Sequence, residues 1–437
     1  MLTPWPWSAR MRSLIRQRSE TRLGVAKGTL PPSPTPAGLE EAQAGMGTND
    51  ALDAARKLAV VAGVHADESE QRRRMAPAIV AAFIDSELPK LAAPTALGGG
   101  AAHPTTVLEV IEEISSADAS AGWCVAIGLG SNYLAGIIPE SSAAEVFGDL
   151  RQPAAGPFAP GGRAQVTSTG YRVSGRWPYA SGCHDVGVSA SGIMAFEGGR
   201  PAEFHPDGSP VVRLGFLTAD QFIIEDTWHT VGMRGTGSHH ITAADLDLPR
   251  ERVGTLWDPM WPHDAIYRMR PFDLLGPCLA AVPLAVGRSA LDIIEGTARD
   301  QAVTPPPPGP RRPLGEDPVA QMQLVEAETR LRSARLLLFD AVNASYEHAE
   351  KGDLPPRAVT ALIGLACFEA IRAGSAAVDA ACALSGSAAI QEGALLDRKR
   401  RDIQTAATHV MFSPRIAAGL GRQLAGIHTI AYPFLPV

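Results

Sequence analysis

The sequence predicts a mainly α-helical protein with a central β domain. The 3.6-residue hydrophobic period of helices dominates to about residue 150, and it returns after about residue 255 and persists to the C-terminus. Between these regions lie short alternating runs separated by glycine and proline, which are typical of strands. Because strands and helices do not alternate along the chain, a Rossmann fold or a βα barrel is disfavoured.

This order divides the 437 residues into four segments: a disordered basic and proline-rich extension over 1–50, an N-terminal helical domain over 51–150, a middle β domain over 151–255 and a C-terminal helical bundle over 256–437. The extension is rich in arginine and contains LPPSPTPAG, but no apolar run follows the arginines, which argues against a secretory signal. A basic amphipathic membrane anchor is the alternative for this segment.

Composition narrows the function classes. The formal net charge of −7 provides no basic surface field for nucleic acid. Five cysteines without a CxxC pair indicate reduced thiols and a cytoplasmic protein. We expect no membrane span, because the apolar windows are interrupted by charged residues. We also expect no metal site, because His239 and His240 lack a third ligand at a suitable spacing.

The helical and strand elements follow from local patterns. In TTVLEVIEEISSADASAGW, the apolar residues fall on one helical face and the glutamates on the other. QVTSTGYRVSGRW predicts a β-hairpin, and VGVSASGIM, VVRLGFLT and HHITAADLDL predict further strands. From Asp317 onward, apolar residues at steps of three and four predict a long packed helix, and TPPPPGP at 304–310 predicts a stiff connector before it.

The segment DRKRRDIQTAATHVMF, 397–412, carries a candidate acid/base. On a continuous helix, Arg398, Asp402, Thr405 and His409 would share one face, so an imidazole would lie near a hydroxyl and a carboxylate. A solvated basic face with one structural histidine explains the same pattern, and the residue pattern leaves both interpretations open.

The segment RWPYASGCHD, 176–185, carries a candidate binding turn. Its small residues would let the backbone approach a flat ligand, with Trp177 and Tyr179 as apolar walls. A hairpin exit with a buried tryptophan is the alternative. A Cys183–His184 dyad is disfavoured, because adjacent side chains of an extended segment point to opposite sides.

Four segments together resemble the acyl-CoA dehydrogenase superfamily, in its two-component flavin monooxygenase branch. They are EVIEEISSADASAGW, GYRVSGRWPYASGC, GMRGTGSHHI and LLDRKRRDIQTAATHVMFSPRIAAGLGRQLAG, and the resemblance covers about residues 52–430. It implies that family's fold, with an N-terminal helical domain, a β-barrel-like middle domain and a C-terminal four-helix bundle.

The resemblance also implies a reduced flavin, FMNH2 or FADH2, between the β domain and the C-terminal helices, and Ser181 near its N5. The SGSAAI stretch, 385–390, implies contact with a neighbouring subunit's flavin and hence a homotetramer. The expected cofactor-binding residues are Phe158, Trp177, Tyr179, Ala180, Ser181, Gly386, Ser387 and Arg398.

The same resemblance separates oxygenase from dehydrogenase. The dehydrogenase base is a glutamate, whereas this chain has Thr408-His409-Val410, with His409 at the position of the oxygenase branch's base. The expected reaction is hydroxylation of a small aromatic or polycyclic substrate by O2 through a C4a-hydroperoxyflavin. A separate NAD(P)H-dependent flavin reductase is expected, because no dinucleotide-binding fingerprint occurs in the chain.

One departure from the branch concerns the helix after Gly122-Trp123. Aromatic hydroxylases carry a histidine where this chain has Ser131, whereas Asn132 matches and is expected to orient the substrate or peroxide. This departure weakens simple phenol ortho-hydroxylation as the reaction. An acyl-CoA dehydrogenase-like FAD desaturase and a flavin-free structural oligomer are the alternative functions.

Overall fold

The computed structural model describes residues 46–205, 208–303 and 312–425. Nearly all of the predicted N-terminal extension and the TPPPPGP connector lie outside the described residues. The described part belongs to one compact unit, Ala44–Val437.

Six helices form the N-terminal part of this unit: α1 (Thr48–Val64), α2 (Ala66–Arg72), α3 (Pro77–Asp85), α4 (Pro104–Ala117), α5 (Ala119–Tyr133) and α6 (Glu140–Phe147). Asp118 separates α4 from α5, and its carboxylate caps α5 by accepting a 2.8 Å hydrogen bond from the Ala121 N–H. Helix α5 is almost wholly buried, because its small residues allow close packing. Gly122 shows this, since a Cβ there would come within 2.0 Å of Ser115 Oγ.

The β domain is one sheet of nine strands: β1 (Ala154–Ala155), β2 (Gly162–Val166), β3 (Gly170–Ala180), β4 (Val188–Glu197), β5 (Arg200–Pro201), β6 (Arg213–Thr218), β7 (Ile223–Glu225), β8 (His239–Pro249) and β9 (Val253–Gly254). The main order is β7-β8-β3-β2-β4-β6-β9, and β1 and β5 each pair with β4. The predicted β2–β3 hairpin is confirmed, with Val166 opposite Tyr171.

Within the described residues, five helices follow the sheet: α7 (Pro271–Val303), α8 (Pro318–Glu350), α9 (Arg357–Ser385), α10 (Leu395–Ala406) and α11 (Pro414–Leu424). The stripe predicted from Asp317 is confirmed in α8, where Ala327, Leu331, Ala334 and Leu338 are buried. Helices α7 and α9 approach closely at Gly374, where a Cβ would lie 2.2 Å from Pro283 O. Long helices packed around a sheet confirm the predicted fold class.

Two helical spans are long and apolar enough to cross a membrane by length and composition, contrary to the expectation of no such window. They are Pro271–Ala302 and Arg357–Ile390. In the first span, 94% of the apolar window is buried. Its apolar composition is therefore that of a core helix. In the second span, 56% of the window is buried.

Candidate active site

A chain of buried hydroxyl groups lies where α5, the end of β3 and the segment 231–238 meet. The indole N–H of Trp123 donates to Ser181 Oγ at 3.2 Å. The Ser181 and Ser238 hydroxyls are 2.7 Å apart, and the Ser238 and Thr236 hydroxyls are 2.6 Å apart. All four residues are buried, so the chain fixes the position of the Ser181 hydroxyl.

His409 lies beside this chain, with its ring 5.4 Å from the Trp123 ring in an edge-on arrangement. It does not lie on the predicted continuous helix, because α10 ends at Ala406 and His409 caps the short 3-10 turn Val410–Phe412. The Met411 N–H donates to His409 Nδ1 at 3.3 Å. In this capping position, one nitrogen of the imidazole accepts a hydrogen bond from the backbone, and only the other is available to a ligand.

The charge state of His409 follows from its surroundings. Burial lowers the pKa of the imidazole from 6.5 to about 4, because the charged form loses hydration. The ring is therefore neutral near pH 7. Since Nδ1 accepts a backbone hydrogen bond, the proton of the neutral ring resides on Nε2. His409 is thus a hydrogen-bond donor at Nε2.

Helix α10 holds the 231–238 segment in place. Asp402 Oδ1 accepts a 2.6 Å hydrogen bond from the Met233 N–H. A Cβ at Gly232 would lie 2.0 Å from Arg401 O, so only glycine allows this approach. Burial and the nearby Asp118 raise the pKa of Asp402 to about 7. Asp402 therefore connects α10 to the segment that carries Thr236 and Ser238.

Arg398, predicted to bind the cofactor, forms ion pairs with two carboxylates of the protein, and its contact with a cofactor stays a prediction. Its guanidinium pairs with Asp67 and, at 3.0 Å, with Glu70, so that it joins α10 to α2. These partners raise the pKa of Arg398 further, against the opposing effect of burial. The cationic group is thus already matched by two carboxylates.

Trp177 also differs from its predicted place. Its side chain is fully buried in the core of the sheet, and its indole N–H donates to Gly192 O at 2.6 Å. The ring occupies space that Gly162 leaves, since a Cβ there would lie 2.4 Å from Trp177 Cζ2. Trp177 therefore supports the sheet and does not line a binding surface.

Tyr179 has the opposite environment. It lies in the irregularity between the β3 and β8 pairings of Trp177 and Ala180, with a left-handed φ of 64°, and it is 67% exposed. Its ring lies edge-on to those of Trp228 and His240, at 6.3 and 6.0 Å. Such a backbone conformation in a residue other than glycine is costly and marks a candidate functional position.

Asn132, predicted to orient substrate, is fully buried and bound to the backbone. Its amide donates to Pro89 O at 2.9 Å and to Leu150 O at 3.0 Å. Its carbonyl accepts from the Ala154 N–H at 2.9 Å. These bonds use both ends of the amide, so the structure assigns Asn132 to joining α5 to the start of the sheet.

The remaining predicted residues lie at three places. Phe158 is partly buried against the main core in the loop before β2, and Ala180 is buried at the end of β3. Gly386 ends α9 with a φ of 62°, and Ser387 is exposed in the following turn. The contact of this turn with a neighbouring subunit stays a prediction.

The Ser181 turn offers aromatic and polar groups of the kind that contact a flat heteroaromatic cofactor. Tyr179 offers an exposed ring, and the buried His240 Nδ1 has no hydrogen-bond partner among the described residues. The hydroxyl of Ser181, fixed by Trp123 and Ser238, offers a polar contact to a ring nitrogen. No cluster of three metal-ligating side chains occurs in the described ranges.

The sequence reasoning did not assign roles to Trp123, Thr236 and Ser238. Trp123 follows Gly122 in a helix otherwise made of small residues, which was a signal for close packing around its ring. Thr236 and Ser238 alternate with glycine in GTGS, a pattern that brings hydroxyls near backbone turns.

Comparison with known proteins agrees with this geometry. Residues 278–414 match the family model described as acyl-CoA dehydrogenase, C-terminal domain. The indole-3-acetate monooxygenase of Pseudomonas putida is 30% identical over 78% of this chain and 85% of its own length. The oxygenase component of the FADH(2)-dependent resorcinol hydroxylase of Rhizobium sp. (strain MTP-10005) is 29% identical over 64% of this chain and 69% of its own. The structure of XiaF from Streptomyces sp. in complex with FADH2 and glycerol superposes with a TM-score of 0.78 at 27% identity, covering 89% of this chain and 97% of XiaF.

Proposed function

Because the chain belongs to the reduced-flavin-dependent monooxygenases of the acyl-CoA dehydrogenase superfamily, we propose that it hydroxylates a small aromatic substrate with a hydrogen-bond donor on or near its ring. The chain is a flavin-dependent monooxygenase. Its relatives include an oxygenase component, so the reduced flavin comes from a separate reductase. The observation that carries the residue assignment is the contact of Trp123 with both Ser181 and His409.

When bound, reduced flavin would supply the two electrons that O2 needs for one oxygen atom to enter the substrate as a hydroxyl group and the other to leave as water. In the balanced reaction, substrate, O2 and reduced flavin give hydroxylated substrate, water and oxidised flavin. The protein must hold the flavin, exclude bulk water and control protons at the reacting oxygen.

Ser181 is proposed to help hold the flavin, and His409 to control protons at the reacting oxygen. The Ser181 hydroxyl is held between Trp123 and Ser238, which supports a fixed hydrogen bond to the flavin ring edge. His409 is neutral and carries its proton on Nε2, which supports donation of a hydrogen bond to oxygen as charge develops there. Accepting a substrate proton instead would require His409 to give up its Met411 contact.

We further propose a cytoplasmic homotetramer. Exposed apolar side chains, Ile390 at 65% and Leu395 at 61%, flank the turn that follows Gly386, and a neighbouring subunit would cover them. Five free cysteines, four of them buried, support a reducing compartment. Light scattering tests the assembly, and a mass of four times the 45.9 kDa chain is expected.

The test of function supplies reduced FMN or FAD from a purified flavin reductase, with O2 and a panel of phenols and indoles. Hydroxylated product and hydrogen peroxide are both quantified. We expect coupled product formation with wild type. His409→Asn retains a cap acceptor but lacks the imidazole, so we expect product to fall by roughly 10²- to 10⁴-fold while peroxide rises.

His263→Asn is the matched control, because His263 is exposed and lies outside the site. It is expected to behave as wild type. Two outcomes contradict the proposal: consumed O2 appears entirely as peroxide with every ring tested, or acyl-CoA thioesters bleach bound FAD without oxygen. The second outcome would instead support the desaturase function.

A further inference from the structure

The chain of buried hydroxyl groups beside Trp123 ends at a backbone carbonyl. The Thr236 hydroxyl lies 2.8 Å from Met233 O, the distance of an O–H···O hydrogen bond. A carbonyl oxygen has no proton to offer, so two oxygens this close would repel each other unless the hydroxyl proton lay between them. Thr236 therefore donates its only hydroxyl proton to Met233 O.

Met233 is held so that this carbonyl keeps its place. Asp402 accepts a 2.6 Å hydrogen bond from the Met233 N–H, and the Met233 carbonyl also accepts from the Trp228 indole N–H at 2.9 Å. The residue has a left-handed φ of 51°, a conformation that persists only where surrounding contacts hold it. Met233 O is therefore a fixed acceptor at the end of the chain.

A hydroxyl has one proton, and this decides the direction of the other bonds. Because the Thr236 proton is directed at Met233 O, the 2.6 Å contact between Thr236 and Ser238 contains the proton of Ser238. The 2.7 Å contact between Ser238 and Ser181 then contains the proton of Ser181. On its other side, Ser181 Oγ accepts from the Trp123 indole N–H, which can only donate. Every bond thus runs in the same direction, from Trp123 to Met233 O.

This direction determines what Ser181 can offer to a ligand. Its proton is directed at Ser238, and one of the two lone pairs on its oxygen accepts from Trp123, so one lone pair remains. Burial shields the arrangement from water, since Trp123, Ser181, Thr236 and Ser238 are between 1% and 8% exposed. Ser181 can therefore accept one further hydrogen bond and has no proton to donate.

We propose that Thr236, acting through Ser238, orients the Ser181 hydroxyl so that it accepts a hydrogen bond from the flavin and donates none. This inference rests on the proposed function and concerns the redox state of the flavin that the site favours. Reduced flavin carries a proton on N5, whereas N5 of oxidised flavin has a lone pair and can only accept. The Ser181 acceptor would thus pair with the reduced ring and oppose the oxidised one. Thr236 and Ser238 are positioning residues, since they would act on the flavin only through Ser181.

The experiment measures dissociation constants of oxidised and reduced FMN and FAD by anaerobic titration, and the ratio of oxidised to reduced is compared between proteins. In Thr236→Val, Ser238 is free to donate to Ser181, and the Ser181 proton becomes available to N5 of oxidised flavin. We expect the ratio to fall about tenfold, because one favourable contact is lost and one unfavourable contact is relieved.

The two-electron midpoint potential of the bound flavin is an independent readout, measured by spectroelectrochemistry. Tighter binding of the reduced form raises this potential, so a tenfold fall in the ratio should lower it by about 30 mV. If Thr236 had only a structural role, its loss would weaken the binding of both redox forms alike. The ratio and the potential would then stay at their wild-type values.

Two further variants serve as controls. Thr236→Ser retains the hydroxyl that bonds to Met233 O, so it should keep the wild-type ratio and potential. In a Ser181→Ala background, Thr236→Val should cause no additional change, because the hydroxyl through which it acts is already absent. An equal fall of the ratio in Thr236→Ser and Thr236→Val would overturn the proposal, since the hydroxyl would then not decide the preference.

The variants are chosen so that the protein should still fold. In Thr236→Val, Met233 O keeps the Trp228 indole N–H as a donor, and valine fills nearly the same space as threonine. Ser238→Ala tests the same proposal at the next position. It removes the acceptor of the Ser181 proton, so the same fall in the ratio and in the potential is expected.

Flavin binding by wild type separates this inference from the proposed function. Suppose that wild type binds reduced flavin and forms hydroxylated product, while Thr236→Val and Ser238→Ala keep or increase its ratio. That result would refute the role of Thr236 and leave the monooxygenase function intact. Absence of saturable reduced-flavin binding by wild type would refute the function itself, and this inference with it.

Discussion

Replacing Asn132 with alanine should destabilise the protein without a specific effect on catalysis. The side chain makes three short hydrogen bonds to backbone groups: to Pro89 O, to Leu150 O and from the Ala154 N–H, at 2.9–3.0 Å. These groups belong to two separate segments, one at Pro89 and one from Leu150 to Ala154, that meet at the C-terminal end of α5. Asn132 therefore acts as an internal tie.

The magnitude follows from the groups left unpaired. Each buried backbone group that loses its partner costs about 1–3 kcal/mol. Three such groups give a loss of about 3–9 kcal/mol in the free energy of unfolding, since alanine replaces none of these hydrogen bonds. For a chain of this size, 1 kcal/mol corresponds to about 1 °C, so we expect the melting temperature to fall by about 3–10 °C.

The assay is thermal unfolding by circular dichroism at one fixed scan rate, with hydroxylation measured per folded molecule at 20 °C. Asn132→Asp sharpens the test, because it retains an acceptor for the Ala154 N–H but directs a carboxylate oxygen at the carbonyls of Pro89 and Leu150. It should destabilise at least as much as alanine.

Ser131→Ala is the control, since it removes one hydroxyl at the adjacent buried position of the same helix. Ser131→Ala should lower the free energy of unfolding by less than about 1 kcal/mol. The reasoning would be refuted if Asn132→Ala melted within about a degree of wild type and yet lost hydroxylation. That result would restore Asn132 to contact with substrate.

Three further predictions concern protonation, packing and thiols. Because the folded pKa of His409, about 4, lies below its ordinary 6.5, the unfolded chain protonates first as pH falls. Between pH 6.5 and 4, the free energy of unfolding of wild type should therefore fall by up to about 3 kcal/mol relative to that of His409→Asn. A difference in melting temperature between the two proteins that does not change with pH would contradict this. Gly374→Ala should lower the urea midpoint strongly, since its Cβ would meet Pro283 O at 2.2 Å, whereas Gly296→Ala, with nothing within 4 Å, should leave it unchanged or raise it. Of the five free cysteines, Cys382 alone is not buried, so a thiol reagent should modify it first in the native protein; equal rates at all five would contradict this.

Local pattern was sufficient wherever one element's own periodicity decides its structure. The strand runs and the long stripe of α8 were predictable, because alternation and the 3.6-residue period reflect which face of an element is buried. The resemblance of four motifs added the family and the cofactor class. It also identified Ser181 and His409 as residues to examine together.

Sequence patterns did not predict the contacts of polar side chains whose partners lie on distant segments of the chain. The spacing of Arg398, Asp402 and His409 predicted one helical face, but α10 ends before His409, and the other two side chains bind α2 and the 231–238 segment. The periodicity of one helix gives no information about partners that lie on other segments. The burial of Trp177 likewise depends on the space at Gly162, on a neighbouring strand.

The sequence by itself determined the helix–sheet–helix order, because that order depends on residue type and short-range spacing. Only the tertiary structure decided that Asn132 is a backbone tie, that His409 is neutral with its proton on Nε2, and that Trp177 is buried in the core of the sheet. Those properties depend on desolvation and on hydrogen bonds between segments far apart in the chain. Both are set by packing and are invisible in the order of residues.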